Sequence, residues 1–167
     1  MDAFERQMRE LLGPEYEAFA SALARPPCSS LRVNPAKVDL EAVMAKFGLQ
    51  TRHPREPLGG YFDREQVQPG RHPWHDAGLY YIQEPAAMCA VPSLGTALAT
   101  ARFVVDLCAA PGGKTTQAAI AMPQARILAN EIDPLRSRIL YENVERLGLT
   151  NVIVTQTRPE LLAERFA

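Results

Sequence analysis

Apolar residues near the start of the chain recur with the spacing of an α-helix. The pattern runs to about Leu23 and is interrupted at Gly13 and Pro14, so we predict a helix that is broken at that pair. The apolar positions on the predicted face are Phe4, Met8, Leu11, Leu12, Tyr16, Phe19 and Leu23.

A short alternating segment follows this helix. Residues 30–34 alternate polar and apolar side chains, which predicts a strand with Leu31 and Val33 on one face. A second helix is predicted to begin near Asp39 and to end at Gly48. Prolines and glycines are frequent over residues 53–78, so loops and short strands are expected there, together with the junction between two parts of the chain.

The last third of the chain alternates apolar strands with helices. Residues 103–107 are predicted to form a buried strand, and residues 126–130 and 151–155 to form two more. Helices are predicted over residues 114–121 and from Asp133 to Gly148, the second with Asp133 as N-cap and a proline at its first position. This order predicts parallel strands joined by helices, which is one flank of a Rossmann-like sheet.

The composition of the chain restricts its function only weakly. The 167 residues are 47% apolar, enough for a packed core, and the net charge of −1 neither supports nor excludes a nucleic-acid partner. Three scattered cysteines do not form a disulfide framework. No signal sequence or membrane-spanning run is seen, so we expect a soluble cytoplasmic protein without membrane contact.

The stretch DLCAAPGGKT, residues 106–115, carries the most specific chemistry. Gly112 and Gly113 let the backbone approach a ligand closely, and the helix beyond them offers unpaired N–H groups to an anionic group. Glu131, directly after the next strand, is placed to accept hydrogen bonds from ribose hydroxyls. Together the loop and the acid predict a nucleoside site.

A phosphate-binding P-loop is the alternative for this segment. Its pattern, G-x-x-x-x-G-K-[ST], would place a glycine where Cys108 stands. That glycine makes the tight turn around the phosphates, and a P-loop does not call for the acid at Glu131. The P-loop interpretation is therefore the weaker one.

The loop also resembles the first motif of the Sun/NSUN family of RNA cytosine-C5 methyltransferases, and the order and spacing of the motifs are most like those of the bacterial F-type 16S rRNA enzymes. Further segments with this resemblance are residues 30–34 (SLRVN), 81–85 (YIQEP) and 130–134 (NEIDP). The resemblance implies an α/β fold, in which a small α+β N-terminal domain over residues 1–76 assists RNA recognition. A partial Rossmann-like class I methyltransferase domain over residues 77–167 follows it.

The resemblance also implies a cofactor, S-adenosyl-L-methionine, and an RNA partner, 16S ribosomal RNA. We expect no metal, because His72 and His75 lack cysteine or carboxylate neighbours at the usual zinc spacing. The cofactor-binding residues that it implies are Cys108, Ala109, Ala110, Pro111, Gly112, Gly113, Lys114 and Glu131. Family members carry a further acid near the adenine, after the third strand. Residues 155–159 contain no carboxylate, which leaves adenine recognition to Gln156 or Thr157.

Cytosine-C5 methylation needs a cysteine nucleophile, and the family supplies two cysteines in segments that these 167 residues do not contain. Cys108 and Cys89 are interpreted as packing residues and Cys28 as a loop residue. We therefore predict no catalytic residue and expect the chain alone to be inactive. A non-catalytic cofactor- or RNA-binding module is the alternative function.

Several other polar residues have two interpretations. Asp106 either holds the loop or approaches the methionine amine, and Lys114 either neutralises the cofactor carboxylate or covers the helix. Arg32 and Asn34 are either RNA contacts or ordinary outward residues, and Trp74 either stacks on a base or packs at the junction. A phosphate-contacting face and a solvated loop are the two interpretations of Arg52, His53, Arg55, Arg64, Arg71, His72 and His75.

Overall fold

This computed structural model describes residues 2–49 and 51–166. They contain a four-stranded antiparallel sheet followed by a three-stranded parallel sheet. The strands are β1 (Ser29–Val33), β2 (Thr51–Arg52), β3 (Gly59–Phe62), β4 (Tyr80–Ile82), β5 (Phe103–Asp106), β6 (Arg126–Asn130) and β7 (Val152–Thr155). The helices are α1 (Ala3–Leu12), α2 (Tyr16–Leu23), α3 (Leu40–Phe47), α4 (Pro73–Asp76), α5 (Pro85–Met88), α6 (Ala97–Thr100), α7 (Gly113–Ala121), α8 (Pro134–Leu147) and α9 (Pro159–Phe166). Within those described residues, no helix has both the length and the apolar character that a membrane crossing requires.

The predicted break in the first helix is confirmed. Helix α1 ends at Leu12, a single 3-10 turn over Gly13–Glu15 follows, and α2 continues to Leu23. The Asp2 carboxylate caps α1 by accepting a hydrogen bond from the Glu5 backbone N–H at 2.7 Å. Only Tyr16 is buried in α1 and α2, while Phe4, Leu11 and Leu23 of the predicted apolar face are exposed to solvent.

The antiparallel sheet has the strand order β2-β3-β1-β4, and its core lies between the sheet and α3. Strand β1 is central because β3 and β4 pair with it on either side. Leu31 and Val33 both have zero exposure, which confirms the predicted strand face. They pack with Val43 of α3 and with Tyr80 of β4, so this core joins segments that are distant in sequence.

The parallel sheet has the order β5-β6-β7, and the predicted alternation of strands and helices is confirmed. Helix α7 connects β5 to β6, and α8 connects β6 to β7. Ile127 and Ala129 of β6 have zero exposure, because α7 packs in the cluster around Ile127 and α8 in the cluster around Ala129. Helix α8 begins as predicted, with the Asp133 carboxylate accepting a hydrogen bond from the Arg136 N–H.

The prediction that residues 103–107 form a buried strand is wrong about burial: β5 ends at Asp106, and each of these residues is exposed or half-buried. Phe103 is 49% exposed, Val105 is 46% exposed and Ile153 of β7 is 50% exposed. Both α7 and α8 contribute to the cores around alternate residues of β6, Ile127 and Ala129, which lie on one face. Val105 and Ile153 pair with Leu128 and therefore lie on the opposite face.

Polar contacts connect the antiparallel sheet to the helices of the parallel sheet. The Asn34 side-chain amide donates to Leu147 O at 2.9 Å, and the Lys37 ammonium donates to Arg146 O at 2.8 Å. A Cβ on Gly78 would lie 1.9 Å from Arg146 O, so no larger residue fits there. The proposed division near residue 76 stays a prediction; the antiparallel sheet takes its last strand, β4, from beyond it.

We predict that Leu31→Ala lowers the free energy of unfolding by about 2–5 kcal/mol, because Leu31 is fully buried at the centre of the antiparallel sheet. Urea denaturation followed by circular dichroism measures this change. The matched control is Leu23→Ala, at a residue that is 63% exposed, for which a change within about 0.5 kcal/mol is expected. Equal losses in both variants would contradict the packing described for β1.

Candidate functional site

The loop between β5 and α7 reverses the chain over a few residues and depends on Gly112. Gly112 has φ 111° and is the N-cap of α7, a conformation that side chains with a Cβ rarely adopt. The preceding Ala110–Pro111 peptide bond is cis. The loop is also tied to the neighbouring strand, because the Ala109 N–H donates to Asn130 O at 2.9 Å.

Two side chains of α8 hold the carbonyl groups of this loop. The Arg136 guanidinium donates to Ala110 O at 2.9 Å, and the Asn143 amide donates to Pro111 O at 2.9 Å. Sequence reasoning missed both residues. Their separation of seven positions places them on one face of α8, which is the only signal that could have identified them.

Glu131 is buried, and one of its two carboxylate oxygens accepts no hydrogen bond among the described residues. It follows β6, is 4% exposed, and its Oε1 accepts a hydrogen bond from the Asp133 N–H at 3.2 Å. Its Oε2 is buried and has no hydrogen-bond partner among the described residues; the nearest cation, Arg136 Nη1, lies 3.6 Å away. A buried carboxylate oxygen without a donor is unfavourable, so a ligand hydroxyl would improve its environment.

Arg136 brings Glu131 and the loop together. Its Nη2 donates to the loop carbonyl of Ala110, and its Nη1 faces the Glu131 carboxylate. The same side chain therefore contacts both the acid and the turn. The sequence placed both at the ends of adjacent strands, and the structure confirms that position: Asp106 of β5 pairs with Ala129, two residues before Glu131. The arrangement suits a nucleoside whose sugar hydroxyls reach the carboxylate.

Asp106 and Lys114 have different surroundings. The Thr115 hydroxyl donates to the Asp106 carboxylate at 2.7 Å, so Asp106 is tied to the first turn of α7 through a side chain. Lys114 is exposed and lines a cavity beside the loop. This position would let its ammonium group neutralise an anionic ligand held at the start of the helix.

The cavity beside the loop has a volume of about 450 Å³ and two walls from different sheets. One wall is the loop, through Cys108–Pro111, Gly113 and Lys114, together with Asp106. The other wall comes from the end of β4 and the residues after it, Tyr81 to Glu84, with Ala87 of α5. Sequence reasoning did not identify this second wall.

The segment after β7 is tied to Asn130. The Asn130 amide donates to Thr157 O at 2.9 Å, while its carbonyl oxygen accepts from the Thr157 N–H and from the Thr155 hydroxyl. These hydrogen bonds hold residues 155–157, the segment in which an adenine-binding residue was expected, against the end of β6. The roles suggested for Gln156 and Thr157 stay predictions.

Several residues considered as RNA contacts lie inside the protein, so those interpretations are wrong. Arg32 and Asn34 are each 1% exposed and form buried hydrogen bonds. His53 is 6% exposed, because its Nδ1 accepts from the backbone N–H of Glu56 and its Nε2 contacts Pro85 O. Trp74 is only half-buried, and it packs edge-on against the core ring of Phe47 at 6.2 Å between ring centroids, which fits the packing interpretation.

The three cysteines differ in exposure. Cys28 is exposed, and Cys89 is half-buried rather than fully buried as expected, with its Sγ 3.9 Å from Pro85 O. Cys108 is exposed and lines the cavity, so it is not a buried packing residue, and its role in cofactor binding stays a prediction.

Comparisons with known proteins agree with this geometry. The family described as the N-terminal domain of 16S rRNA methyltransferase RsmF matches residues 1–85, which is more than half of the chain. The family 16S rRNA methyltransferase RsmB/F matches residues 96–161. The chain is 38% identical to Ribosomal RNA small subunit methyltransferase F of Citrobacter koseri over 164 residues, and it spans 34% of that relative's length.

Solved structures support the same fold. A methyltransferase homologue from Pyrococcus horikoshii is similar over all of this chain and 60% of its own, with a TM-score of 0.78 and 26% identity. NSun6 from Pyrococcus horikoshii, solved with SFG, covers 96% of this chain and 66% of its own, with a TM-score of 0.77 and 18% identity. The latter likeness concerns the fold, and together they confirm the partial Rossmann-like architecture.

We predict that Gly112→Ala lowers the free energy of unfolding by about 1–2 kcal/mol, because a side chain at φ 111° is strained. Its Cβ would also lie 3.1 Å from Leu140 Cδ1. Gly113→Ala is the matched control, since its Cβ meets only ordinary contacts at 3.6 Å in a helix. Thermal denaturation compares the two, and a loss at Gly113 equal to that at Gly112 would contradict the described turn.

Proposed function

We propose a function from one established premise: the chain belongs to the RsmF family of 16S rRNA methyltransferases, in the wider Sun/NSUN group, and corresponds to the N-terminal part of such proteins. It spans 34% of the length of a curated relative. We infer that, within a longer protein, it binds the methyl donor for methylation of a cytosine C5 in 16S rRNA. The observation that carries this proposal is the buried Oε2 of Glu131 beside the glycine turn, which faces Arg136 at 3.6 Å but accepts no hydrogen bond among the described residues.

S-adenosyl-L-methionine would supply an activated methyl group on its sulfonium. The residues of this chain would hold and orient it. Glu131 would accept hydrogen bonds from the ribose hydroxyls, and Lys114 would offset the charge of the methionine carboxylate. The proposed backbone contacts come from Cys108, Ala109, Ala110, Pro111, Gly112 and Gly113.

The nucleophile is proposed to come from outside these 167 residues. Cytosine C5 becomes reactive only after a thiolate adds to C6, and the enzyme must later release that adduct. Cys28 and Cys89 do not line the cavity of about 450 Å³. Cys108 does line it, but it belongs to the turn that we assign to cofactor binding, where its thiol would compete with the cofactor for space.

RNA contact is proposed for the exposed arginines of the N-terminal part. Arg55, Arg64 and Arg71 are exposed to solvent, whereas Arg52 forms an ion pair with Glu41. Phosphate contacts by such side chains would position RNA without reading its sequence. We place this function in the cytoplasm. A non-catalytic binding module for RNA or cofactor is the alternative.

We predict that the chain binds S-adenosylhomocysteine, the product form of the cofactor, in isothermal titration calorimetry. Glu131→Gln should weaken this binding about ten- to hundredfold, because hydrogen bonds to a charged acceptor become bonds to a neutral one. Glu142→Gln, on the exposed surface of α8, is the control and should change the affinity less than about twofold. Preference for ATP with magnesium would instead support the P-loop alternative and overturn our proposal.

We further predict that the 167-residue chain does not transfer methyl groups to 16S rRNA when it is incubated with tritiated S-adenosyl-L-methionine. The physical reason is the proposed lack of a nucleophile positioned over the cofactor. A Sun/NSUN enzyme with its full set of cysteines serves as the positive control for the RNA. Incorporation of label by the chain alone, lost in Cys108→Ser, would assign the nucleophile to Cys108 and reject the proposal.

A further inference from the structure

We propose that Arg32 is a positioning residue for the cofactor site, because its guanidinium group binds both walls of the cavity and holds them at a fixed separation. Arg32 lies on β1 of the antiparallel sheet, far in sequence from the loop. This inference rests on the proposed function, since it assumes that the cavity receives the cofactor.

The first wall is held through α7. Arg32 Nη2 donates to the Thr116 hydroxyl at 2.8 Å and lies 3.5 Å from Gly113 O. The Thr116 hydroxyl in turn lies 3.3 Å from Gly113 O. These contacts hold the first turn of α7, which directly follows the left-handed conformation at Gly112.

The second wall is held through Gln83. Arg32 Nε donates to Gln83 Oε1 at 3.1 Å, and Gln83 lines the cavity opposite the loop. The Gln83 amide then donates to Gln117 Oε1 of α7 at 3.2 Å, which closes a ring of contacts between the two walls. Gln117 is itself held by Met88 O at 2.7 Å and by the Glu56 carboxylate.

The energetics of Arg32 argue against a role in simple packing. The residue is 1% exposed, and burial lowers the pKa of its guanidinium to about 10, while the Glu56 carboxylate opposes that shift. It therefore remains charged at neutral pH. Its Nη1 is buried without a hydrogen-bond partner among the described residues. An apolar side chain would avoid both costs, so the geometry of the planar, multidentate donor is the property that this position uses.

Asn34 provides a natural comparison on the same segment. It is also 1% exposed, and its amide also crosses to the helices of the parallel sheet, at Leu147 O. That contact lies at the last residue of α8, and neither Asn34 nor Leu147 lines the cavity. Asn34 and Arg32 therefore share burial and connectivity but differ in whether they reach the cavity.

The experiment compares Arg32→Lys and Thr116→Val with Asn34→Ala in S-adenosylhomocysteine calorimetry and thermal denaturation. Lysine keeps the charge but cannot bind Gln83 and Thr116 with one planar group, and Thr116→Val removes the acceptor on α7 while preserving shape. We expect about tenfold weaker binding in both variants and less than about twofold change in Asn34→Ala, although all three lower the melting temperature. The double variant Arg32→Lys/Thr116→Val should bind little worse than either single variant.

Equal affinity losses in Asn34→Ala, or unchanged affinity in Thr116→Val, would overturn the positioning role. If the unaltered chain does not bind S-adenosylhomocysteine, the proposed function fails, and hydrogen exchange then decides the role of Arg32 separately. The Thr116 amide, which donates to Gly112 O at 2.8 Å, should exchange faster in Arg32→Lys than in Asn34→Ala. Equal exchange in the two variants would reject a local effect on α7.

Discussion

Buried polar side chains, rather than a continuous apolar interface, hold the antiparallel sheet against the helices of the parallel sheet. Arg32, Gln83 and Gln117 form one part of this seam, and Asn34 forms another. Directional contacts of this kind define relative position more sharply than apolar packing, because each donor must find its acceptor at bonding distance and angle. Gln83 lines the cavity, so we infer that the separation of the cavity walls depends on the Arg32, Gln83 and Gln117 part of this seam and not on Asn34.

Helix α8 holds the glycine turn through polar side chains as well. Its start is determined locally by Asp133 and Pro134, and that start sets the rotation of all later side chains. Arg136 and Asn143 consequently face the loop and bind successive carbonyl groups. Because Arg136 also faces Glu131, the helix links the glycine turn to the proposed ribose acid. A single element therefore organises both halves of the proposed nucleoside site.

The two walls of the cavity change how the N-terminal part is understood. A separate accessory domain would contact RNA and leave cofactor binding to the parallel sheet. Instead, β4 and the residues after it form a wall of the cavity, and β1 supports both walls through Arg32. We infer that the antiparallel sheet completes the proposed cofactor site. Loss of the hydrogen bonds that Arg32 makes to the two walls would therefore weaken cofactor binding more than RNA binding.

Local chemistry in the sequence determined much of this protein. The strand–helix alternation, the Asp133 cap, the glycine turn and the acid after β6 each depend on neighbouring residues, and their positions were predictable for that reason. Only the tertiary structure decided what Arg32, Asn34 and His53 do, because polar residues on a strand or loop look alike in sequence whether they face water or a buried partner. Their partners lie up to 113 positions away along the chain. The exposed face of β5 has the same origin, since an apolar run shows that a residue can be buried, whereas its actual burial depends on which helices cover it.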